Sequence, residues 1–259
     1  MLQEKNKKLT KQDEKDKIKI LFQNIQYLSN KTNQVQILLD ENKPDICLLA
    51  EHGLDENCLK YSVPKNYFLK DMFCRKNSRG GGLSIYLNNK LLSTSSNVSW
   101  ISKHNIQNVV EYVGITIEVP KKILILGVYR IPKSSNLTKF YKSFTEILDE
   151  AHKNFINILI LGDFNIHFCK MNNEAIAFLN ITKSFGLERK IYTYTRITLS
   201  SQSCIDNAFT NIPFCSAETI TTGISDHEGL LASITYEIEN YNSKRIKCFR
   251  IIKEKQLQI

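Results

Sequence analysis

Short apolar runs recur along the chain, with polar and turn-forming segments between them. The clearest runs are rich in Ile and Leu and span residues 18–22, 46–50, 83–87, 123–128 and 156–161. Each run is too short for a buried helix, and its composition is typical of a strand that is covered on both faces. The pattern therefore predicts β-strands buried between other layers.

Helical periodicity appears between these runs. Apolar residues three and four positions apart occur at 35–39, 140–151 and 175–185, each after Thr or Asn residues that can start a helix, and the third stretch stops at Gly186. Residues 203–210 and 229–236 return to a strand-like pattern with turn residues between them. Strands and helices therefore interleave, which favours a mixed α/β sandwich over a purely parallel sheet.

Composition predicts one domain, residues 17–236, between two polar ends. The 259 residues are 42% hydrophobic and 24% charged, which is ordinary for a globular protein, and the formal net charge is +9. Residues 1–16 have almost nothing to bury and predict a disordered arm, whereas residues 237–259 predict a basic linker. Since residues 17–240 carry only +3 of that charge, a polyanionic partner is allowed but not required.

The cysteines and the N-terminus bear on the cellular context. Seven cysteines with no C-x-x-C pair indicate neither a disulfide framework nor a zinc knuckle, so we expect a reducing compartment. The polar start lacks the apolar segment of a signal peptide, and no apolar run approaches the ~20 residues of a membrane span. We therefore expect a nuclear or cytoplasmic protein without a membrane partner.

Polar side chains that could do chemistry cluster where the apolar runs end. If the strands lie side by side, their shared ends bring these residues to one rim, which is how β scaffolds commonly build sites. Carboxylate, amide and hydroxyl oxygens suit a hard cation such as Mg²⁺. A divalent cation with a His-Asp pair is the equipment for phosphodiester hydrolysis. The candidates are Asn24, Glu51, Tyr129, Arg130, Asp163, Asn165, Ser203, Asp206, Ser225, Asp226 and His227.

Some of these motifs also have a purely structural interpretation. Glu51 alone could be a surface carboxylate at a strand end, and the sequence Gly162-Asp163-Phe164-Asn165 contains three residues that favour turns. The triple Gly80-Gly81-Gly82 could cradle a phosphate, but it enters a strand and not a helix, so a tight hairpin bend is favoured.

In their order along the chain, the motifs are similar to those of the endonuclease/exonuclease/phosphatase superfamily. The resemblance covers roughly residues 17–236 and implies a four-layered sandwich of two mixed β-sheets flanked by helices. Residues 24–31 and 194–211 look like the Jockey and CR1 branch of LINE-like non-LTR retrotransposon endonucleases. The resemblance rests on Phe22-Gln23-Asn24-Ile25-Gln26, Pro44-Asp45-Ile46 leading to Glu51-His52, Arg79-Gly80-Gly81-Gly82, Val128-Tyr129-Arg130, Gly162-Asp163-Phe164-Asn165, Ser203-Cys204-Ile205-Asp206 and Ser225-Asp226-His227.

The resemblance implies a role for each candidate. Glu51 would be the principal ligand of Mg²⁺, or of Mn²⁺, with Asn24 beside it and Asp206 near the same centre. Asp163 would orient or deprotonate the attacking water, and Asn165 would hold phosphate oxygens. His227, oriented by Asp226, would bind the scissile phosphate and stabilise its transition state. Further contacts with the phosphate, the leaving group or the substrate are implied for Tyr129, Arg130, Thr195, Ser203 and Ser225.

Two positions depart from the family pattern. Many relatives have Asn or Asp two residues after the first Asn and Gly after that, whereas this chain has Gln26 and Tyr27, which weakens the case for a second metal. The Glu-His-Trp-Leu motif common in this branch reads Glu51-His52-Gly53-Leu54 here. The chain therefore lacks a packing aromatic at position 53.

The implied function is the nicking of DNA. The resemblance points to a Mg²⁺-dependent endonuclease that leaves a 3′-hydroxyl for target-primed reverse transcription, with DNA as its partner and a reverse transcriptase domain absent from this sequence. Two alternatives stay open. One is an abasic-site endonuclease or a phosphatase of the same fold, because specificity lies in loops. The other is a catalytically silent retroelement remnant that only binds nucleic acid.

Overall fold

The computed structural model describes residues 17–76, 80–118, 121–132 and 136–236. The predicted arm, the predicted linker and Arg79 lie outside the described residues. The helices are α1 (Thr32–Asn42), α2 (Glu56–Tyr61), α3 (Leu137–Asn154) and α4 (Asn173–Ser184), with 3-10 turns at Asn89–Thr94 and Ser99–His104. The strands are β1 (Lys17–Asn24), β2 (Ile46–Ala50), β3 (Tyr67–Phe73), β4 (Leu83–Asn88), β5 (Ser95–Asn97), β6 (Val110–Glu118), β7 (Lys122–Arg130), β8 (Asn157–Asp163), β9 (Glu188–Arg189), β10 (Arg196–Ile197), β11 (Gln202–Ser203), β12 (Asp206–Thr210), β13 (Cys215–Ile220) and β14 (Gly229–Thr235).

The described strands form two six-stranded mixed sheets and one small hairpin. The first sheet has the order β13-β14-β1-β2-β4-β3, and the second has the order β5-β6-β7-β8-β12-β9. In the first sheet β1 runs parallel to β2, and in the second β7 runs parallel to β8, whereas the other neighbours are antiparallel. Strands β10 and β11 pair separately. The predicted sandwich of two mixed sheets with helices is confirmed.

Alternating side chains place the core between the layers. On β1, Ile18, Ile20 and Phe22 belong to the large core that also contains residues of the second sheet. Leu21 points the other way and packs with the buried face of α1. Since successive residues of a strand face opposite sides, Asn24 lies on the same side as Phe22 and is directed between the sheets.

A cluster of aromatic side chains packs α3 and α4 against the second sheet. Phe144 of α3 lies 4.8 Å from Phe178 of α4, measured between ring centroids, and Phe178 lies 5.4 Å from Phe209 of β12. Phe164, which follows β8, stands 5.0 Å from Phe178. The phenylalanine of the Gly-Asp-Phe-Asn motif is therefore a core residue that anchors the polar side chains on either side of it.

Most predicted elements are confirmed, and the exceptions have local causes. The predicted strand at 203–210 is broken, because the Thr195 hydroxyl accepts the backbone N–H groups of Ile205 and Asp206 and separates β11 from β12. Asn172 caps α4 through its side chain, as its position suggested. Asn136 is the N-cap residue of α3 but makes no side-chain capping bond, and its Nδ2 donates to the carbonyl of Asn108.

The glycine triple lies in the connection of a hairpin, as predicted. Strands β3 and β4 pair antiparallel, with Phe73 opposite Leu83. Gly80, Gly81 and Gly82 all have positive φ angles, which glycine adopts without steric cost. The connection spans residues 74–82 and is longer than the tight bend that the sequence predicted. No helix in the described ranges is long and apolar enough to span a membrane.

Candidate active site

The predicted rim is one site between the two sheets. In each sheet the parallel pair of strands ends there: β1 and β2 at Asn24 and Ala50, and β7 and β8 at Tyr129 and Asp163. Asp163 also lies directly opposite Asp206 across the antiparallel pair β8 and β12. Two carboxylates opposite each other repel, so the fold concentrates negative charge at this point.

Asn24 joins the sheets through a single amide nitrogen. This buried Nδ2 donates to Oε1 of Glu51 at 2.7 Å and to Oδ2 of Asp163 at 3.0 Å. The carbonyl Oδ1 of the same side chain accepts the backbone N–H of Gln26 at 3.2 Å. Both carboxylates therefore lie within reach of one point, and Asn24 holds them there.

Glu51 has a backbone conformation that is uncommon for its residue type. Its φ angle is +56°, in the left-handed region that costs a non-glycine residue free energy and that is found disproportionately at functional sites. The conformation is fixed on both sides, since Glu51 N–H donates to Gly82 O and the Glu51 carbonyl accepts from Tyr27 N–H, both at 2.8 Å. The surrounding loops thus hold the carboxylate over the end of β2.

Asp163 and Asn165 form a clamped turn. Oδ1 of Asp163 accepts the N–H of Asn165 at 2.9 Å, and Asn165 has a φ angle of +50°, which asparagine tolerates. The amide of Asn165 donates to Arg130 O at 2.6 Å. In return, the Arg130 guanidinium donates to the carbonyls of Phe164 and Asn165 at 2.6 and 2.9 Å. The Arg130 side chain, predicted as a substrate contact, is buried. Its hydrogen bonds to these two carbonyls stabilise the turn.

His227 is held by Asp206, not by Asp226 as the sequence suggested. Its Nδ1 lies 2.9 Å from Oδ2 and 3.1 Å from Oδ1 of Asp206, and both side chains are buried. Burial opposes protonation of His227, but Asp206 above all, and then Asp163 and Asp226, raise its pKa to about 9. The ring is therefore oriented so that Nε2 is left for a ligand.

Asp226 has different partners from those predicted. Its Oδ1 accepts from Gln26 Nε2 at 2.6 Å and lies 3.8 Å from Nε2 of His227. Its Oδ2 accepts from Arg196 Nε at 2.8 Å. Burial acts to raise the pKa of Asp226, but Arg196, His227 and Gln26 together lower it. Gln26, the departure from the family pattern, therefore binds Asp226.

The remaining predicted residues join the loops of the site. Ser225 donates its hydroxyl to Asn24 O at 2.6 Å, which ties the loop before β14 to the end of β1. Thr195 holds the start of β12 through the two N–H groups described above. Ser203 lies in β11, where its carbonyl accepts Thr195 N–H at 2.8 Å. The structure brings Ser225 and Thr195 to the site and leaves Ser203 on the hairpin beside it.

Tyr129 lies on the inner side of the site. Its ring is 5% exposed, and burial, followed by the charges of Glu51 and Asp163, raises the pKa of its hydroxyl. The guanidinium of Arg75 stands 5.8 Å from the ring centroid and forms an ion pair with the buried Glu111. The Tyr129 hydroxyl therefore stays protonated at neutral pH and can donate a hydrogen bond.

The donor set fits a divalent cation. Asp163, Asp206 and His227 offer ligand atoms within 4.8 Å of one another. Burial and the neighbouring Asp206 raise the pKa of Asp163, as expected for crowded carboxylates, and they outweigh the opposing charge of His227. Of the predicted ligands Glu51, Asn24 and Asp206, Asn24 turns its amide nitrogen toward the carboxylates and so offers no oxygen there. The oxygens of Glu51, Asp163 and Asp206 are the ligands that suit Mg²⁺ or Mn²⁺.

The two departures from the family pattern meet in space. Tyr27 has a φ angle of +73°, and a Cβ atom built on Gly53 would lie 2.6 Å from Cδ1 of the Tyr27 ring. Any side chain at position 53 would have to displace this ring, and the φ angle of +66° there also favours glycine. The aromatic side chain that position 53 lacks is thus supplied by Tyr27, from the neighbouring loop.

Sequence reasoning missed three side chains that support the site. Buried Gln23 donates to His227 O at 3.0 Å, and a polar residue inside an apolar strand was the signal for it. Arg196 binds Asp226, although its place in the predicted loop gave no indication of a partner. His52, named above only as part of the Glu51-His52 motif, is fully buried, and its Nε2 lies 3.1 Å from Phe73 O.

Comparison with known proteins gives one family match and many similar folds. A family model described as Endonuclease-reverse transcriptase matches residues 123–231. No curated protein sequence matches the chain. The endonuclease domain of TRAS1, a telomere-specific non-LTR retrotransposon, is similar over 85% of this chain and 99% of that chain, with 14% identity and a TM-score of 0.64.

Two DNA-related enzymes have similar structures. The 3′ phosphatase NExo from Neisseria, bound to a product DNA hairpin, shares 18% identity over 85% of this chain and 100% of that chain, with a TM-score of 0.65. The AP endonuclease LMAP from Leishmania major shares 12% identity over 87% of this chain and 90% of that chain, with a TM-score of 0.70. At these identities the similarity establishes the fold.

Proposed function

We propose that this chain, whose residues 123–231 match the Endonuclease-reverse transcriptase model and whose fold is similar to the TRAS1 endonuclease domain, is a Mg²⁺-dependent endonuclease that nicks DNA. The observation that carries the proposal is the pair of contacts made by Asn24, which hold Glu51 and Asp163 from opposite sheets on one amide nitrogen. The buried Asp206–His227 pair lies beside them. A silent remnant would have no need to keep these acidic and histidine side chains in mutual contact.

The negatively charged site could bind a phosphodiester once a cation balances its carboxylates. A divalent ion held by Glu51, Asp163 and Asp206 would neutralise the phosphate and stabilise the charge that develops on it. His227 contributes the protein's own cation: its Nδ1 faces Asp206, so Nε2 donates toward a phosphate oxygen. This arrangement supports hydrolysis of a charged ester and does not by itself select DNA.

The other side chains manage water and the leaving oxygen. In this proposal Asp163 orients the attacking water, and the turn through Asn165 and Arg130 fixes the direction of its carboxylate. Tyr129 donates its hydroxyl proton as a hydrogen bond to the phosphate or to the leaving oxygen. Each of these roles requires the two sheets to stay in register at their common edge.

The retroelement assignment rests on the family match. The matching model is described as Endonuclease-reverse transcriptase, and the TRAS1 endonuclease domain has a similar fold. A nick with a 3′-hydroxyl and a 5′-phosphate would provide the primer for a reverse transcriptase, which we propose as the partner domain. The similar folds of the phosphatase and the AP endonuclease do not distinguish among these substrates.

The decisive assay is plasmid nicking. Purified protein is incubated with supercoiled plasmid and Mg²⁺, with and without EDTA, and compared with Glu51→Gln and with the control Glu56→Gln, whose carboxylate lies on the exposed start of α2. We expect nicking that EDTA and Glu51→Gln abolish and that Glu56→Gln retains. Nicking that persists in EDTA would refute the metal assignment.

Two further measurements test the proposal: the chemical structure of the DNA ends at the nick, and the choice of DNA substrate. DNA polymerase should extend the nick directly, because hydrolysis on the proposed side leaves a 3′-hydroxyl. A product that needs phosphatase treatment before extension would contradict the proposed cleavage. Cleavage of an abasic duplex with no cleavage of intact plasmid would favour a repair endonuclease instead.

A further inference from the structure

Tyr27 is an aromatic side chain placed at the edge of the site. Its backbone N–H donates to the carbonyl of Glu51, so the residue is fixed one hydrogen bond away from a proposed metal ligand. The preceding residue, Gln26, binds Asp226 on the other side of the site. The Tyr27 side chain therefore belongs to the wall of the active site and moves with it.

Two glycines leave room for the Tyr27 ring. A Cβ atom on Gly53 would lie 2.6 Å from Cδ1 of Tyr27, and a Cβ atom on Gly80 would lie 3.2 Å from its hydroxyl oxygen. The ring thus rests on backbone where other residues would carry side chains. Despite this support, 53% of Tyr27 is exposed, in contrast to Tyr86 and Tyr112, which are buried in the core. An aromatic surface is left facing solvent, on a residue whose backbone is bonded to Glu51.

Lys31 adds a positive charge to the same loop. Its Nζ donates to Ile25 O at 2.7 Å and to Gln26 O at 3.1 Å, which places an ammonium group against the backbone that carries Tyr27. A flat aromatic ring with a nearby cation is the combination that binds a nucleotide, because the ring stacks on the base while the cation attracts the phosphate.

We propose that Tyr27 is a stacking platform for the nucleobase next to the scissile phosphate. The inference deepens the proposed function and rests on it, since it takes DNA as the substrate. A base that leaves the helical stack at the nick would lie on the exposed part of the ring, and this contact would fix the phosphate relative to Glu51 and Asp163. Tyr27 is thus a substrate-positioning residue that contacts the flat face of a base, whatever the identity of that base.

The test compares DNA affinity in EDTA, where no cleavage occurs. Fluorescence anisotropy gives the Kd of nicked duplexes that carry one abasic analogue at each position around the nick in turn. The variants are Tyr27→Ala, Tyr27→Phe and the control Tyr61→Ala, whose ring is 92% exposed on α2. Tyr27→Ala should weaken binding of intact DNA roughly five- to 150-fold, the range measured for one stacked base. Tyr27→Phe and Tyr61→Ala should bind as the parent does.

The abasic series separates stacking from simple packing. For the parent, the abasic analogue at one position should weaken binding by a similar factor, and at that same position Tyr27→Ala should show no further loss. Tyr27→Leu covers the case in which Ala disturbs the loop, because Leu keeps an apolar contact with Gly53 but has no aromatic face. Circular dichroism melting checks that each variant is folded.

The outcomes distinguish the two proposals. If Tyr27→Leu and Tyr27→Ala bind intact DNA as tightly as the parent, the stacking proposal is wrong whether or not the parent nicks plasmid. If they weaken every abasic duplex as much as intact DNA, the ring is structural and the proposal is also wrong. If the base-dependent loss is found but the parent does not nick, the stacking site is supported and the proposed endonuclease activity fails.

Discussion

Replacement of His227 by alanine tests the centre of the site most directly, because this residue forms a buried pair with Asp206. The two side chains are 3% and 0% exposed, and 2.9 Å separates Nδ1 from Oδ2. His227→Ala removes the proposed donor to the phosphate. It also removes the one side chain, among the residues that the structure describes, that donates to the Asp206 carboxylate. Catalysis and stability should therefore both change.

The two effects have different magnitudes. Loss of a single donor to a transition state lowers the rate by about 10²- to 10³-fold. Removal of one member of a buried ion pair costs about 3–5 kcal/mol, because the other charge is left without a partner. For a domain of this size, each kcal/mol lowers Tm by roughly 2–4 °C, so Tm should fall by about 6–20 °C. Affinity for DNA should change by less than about tenfold, since backbone charge dominates it.

His104 provides a matched control. Its Nε2 lies 3.3 Å from Oε2 of Glu150, so it also pairs with a carboxylate, but Glu150 is partly exposed and has Lys103 as a second partner. His104→Ala should nick plasmid at the parental rate and melt close to the parent. Nicking rates are compared at a temperature where circular dichroism shows each variant to be folded. Parental nicking by folded His227→Ala, or equal Tm losses in the two variants, would refute the reasoning.

Two further predictions concern packing and charge. Gly82→Ala should lower Tm by several degrees more than Gly223→Ala: both glycines have positive φ, but a Cβ atom at 82 would lie 2.4 Å from His52 Nε2, whereas nothing lies within 4 Å at 223. Similar melting of the two variants would show that His52 moves aside freely. Deletion of residues 241–259, with six basic residues and one acidic residue, should reduce the salt dependence of DNA binding. An unchanged slope of log Kd against log salt would show that this segment makes no phosphate contacts.

The hydrophobic pattern predicted the strands that build the centre of each sheet. Strands β1, β2, β7 and β8 are nearly continuous runs of Ile and Leu, because both of their faces are covered, and the polar residue that ends each run was correctly placed at a common edge. Strand β6 was not predicted, since Glu111, Gly114 and Thr116 interrupt its apolar residues. Glu111 is buried there only because Arg75 and Gly82 N–H, both distant in sequence, bind its carboxylate.

Partners of the polar side chains were harder to predict than their positions. Asp226 is adjacent to His227 in sequence, which suggested that it orients the imidazole. Neighbouring residues on an extended chain point to opposite sides, however, and the ring of His227 turns inward to Asp206 on the other sheet. The backbone contacts of Arg130 were not predicted for a related reason: its side chain returns to the carbonyls of the turn after β8, a contact that only the paired strands create.

The pairing of β1 with β14 has a consequence for the time at which this protein becomes active during its synthesis. Lys17 lies opposite Thr235 and Phe22 opposite Leu230, so the first described strand can pair only after the last described strand has been synthesised. Ser225 and His227 reach Asn24 and Asp206 only when that closing strand has left the ribosome. A nascent or prematurely terminated chain that ends before residue 227 can contain all three carboxylates and still lack the histidine, so synthesis must continue through β14 before the site can exist.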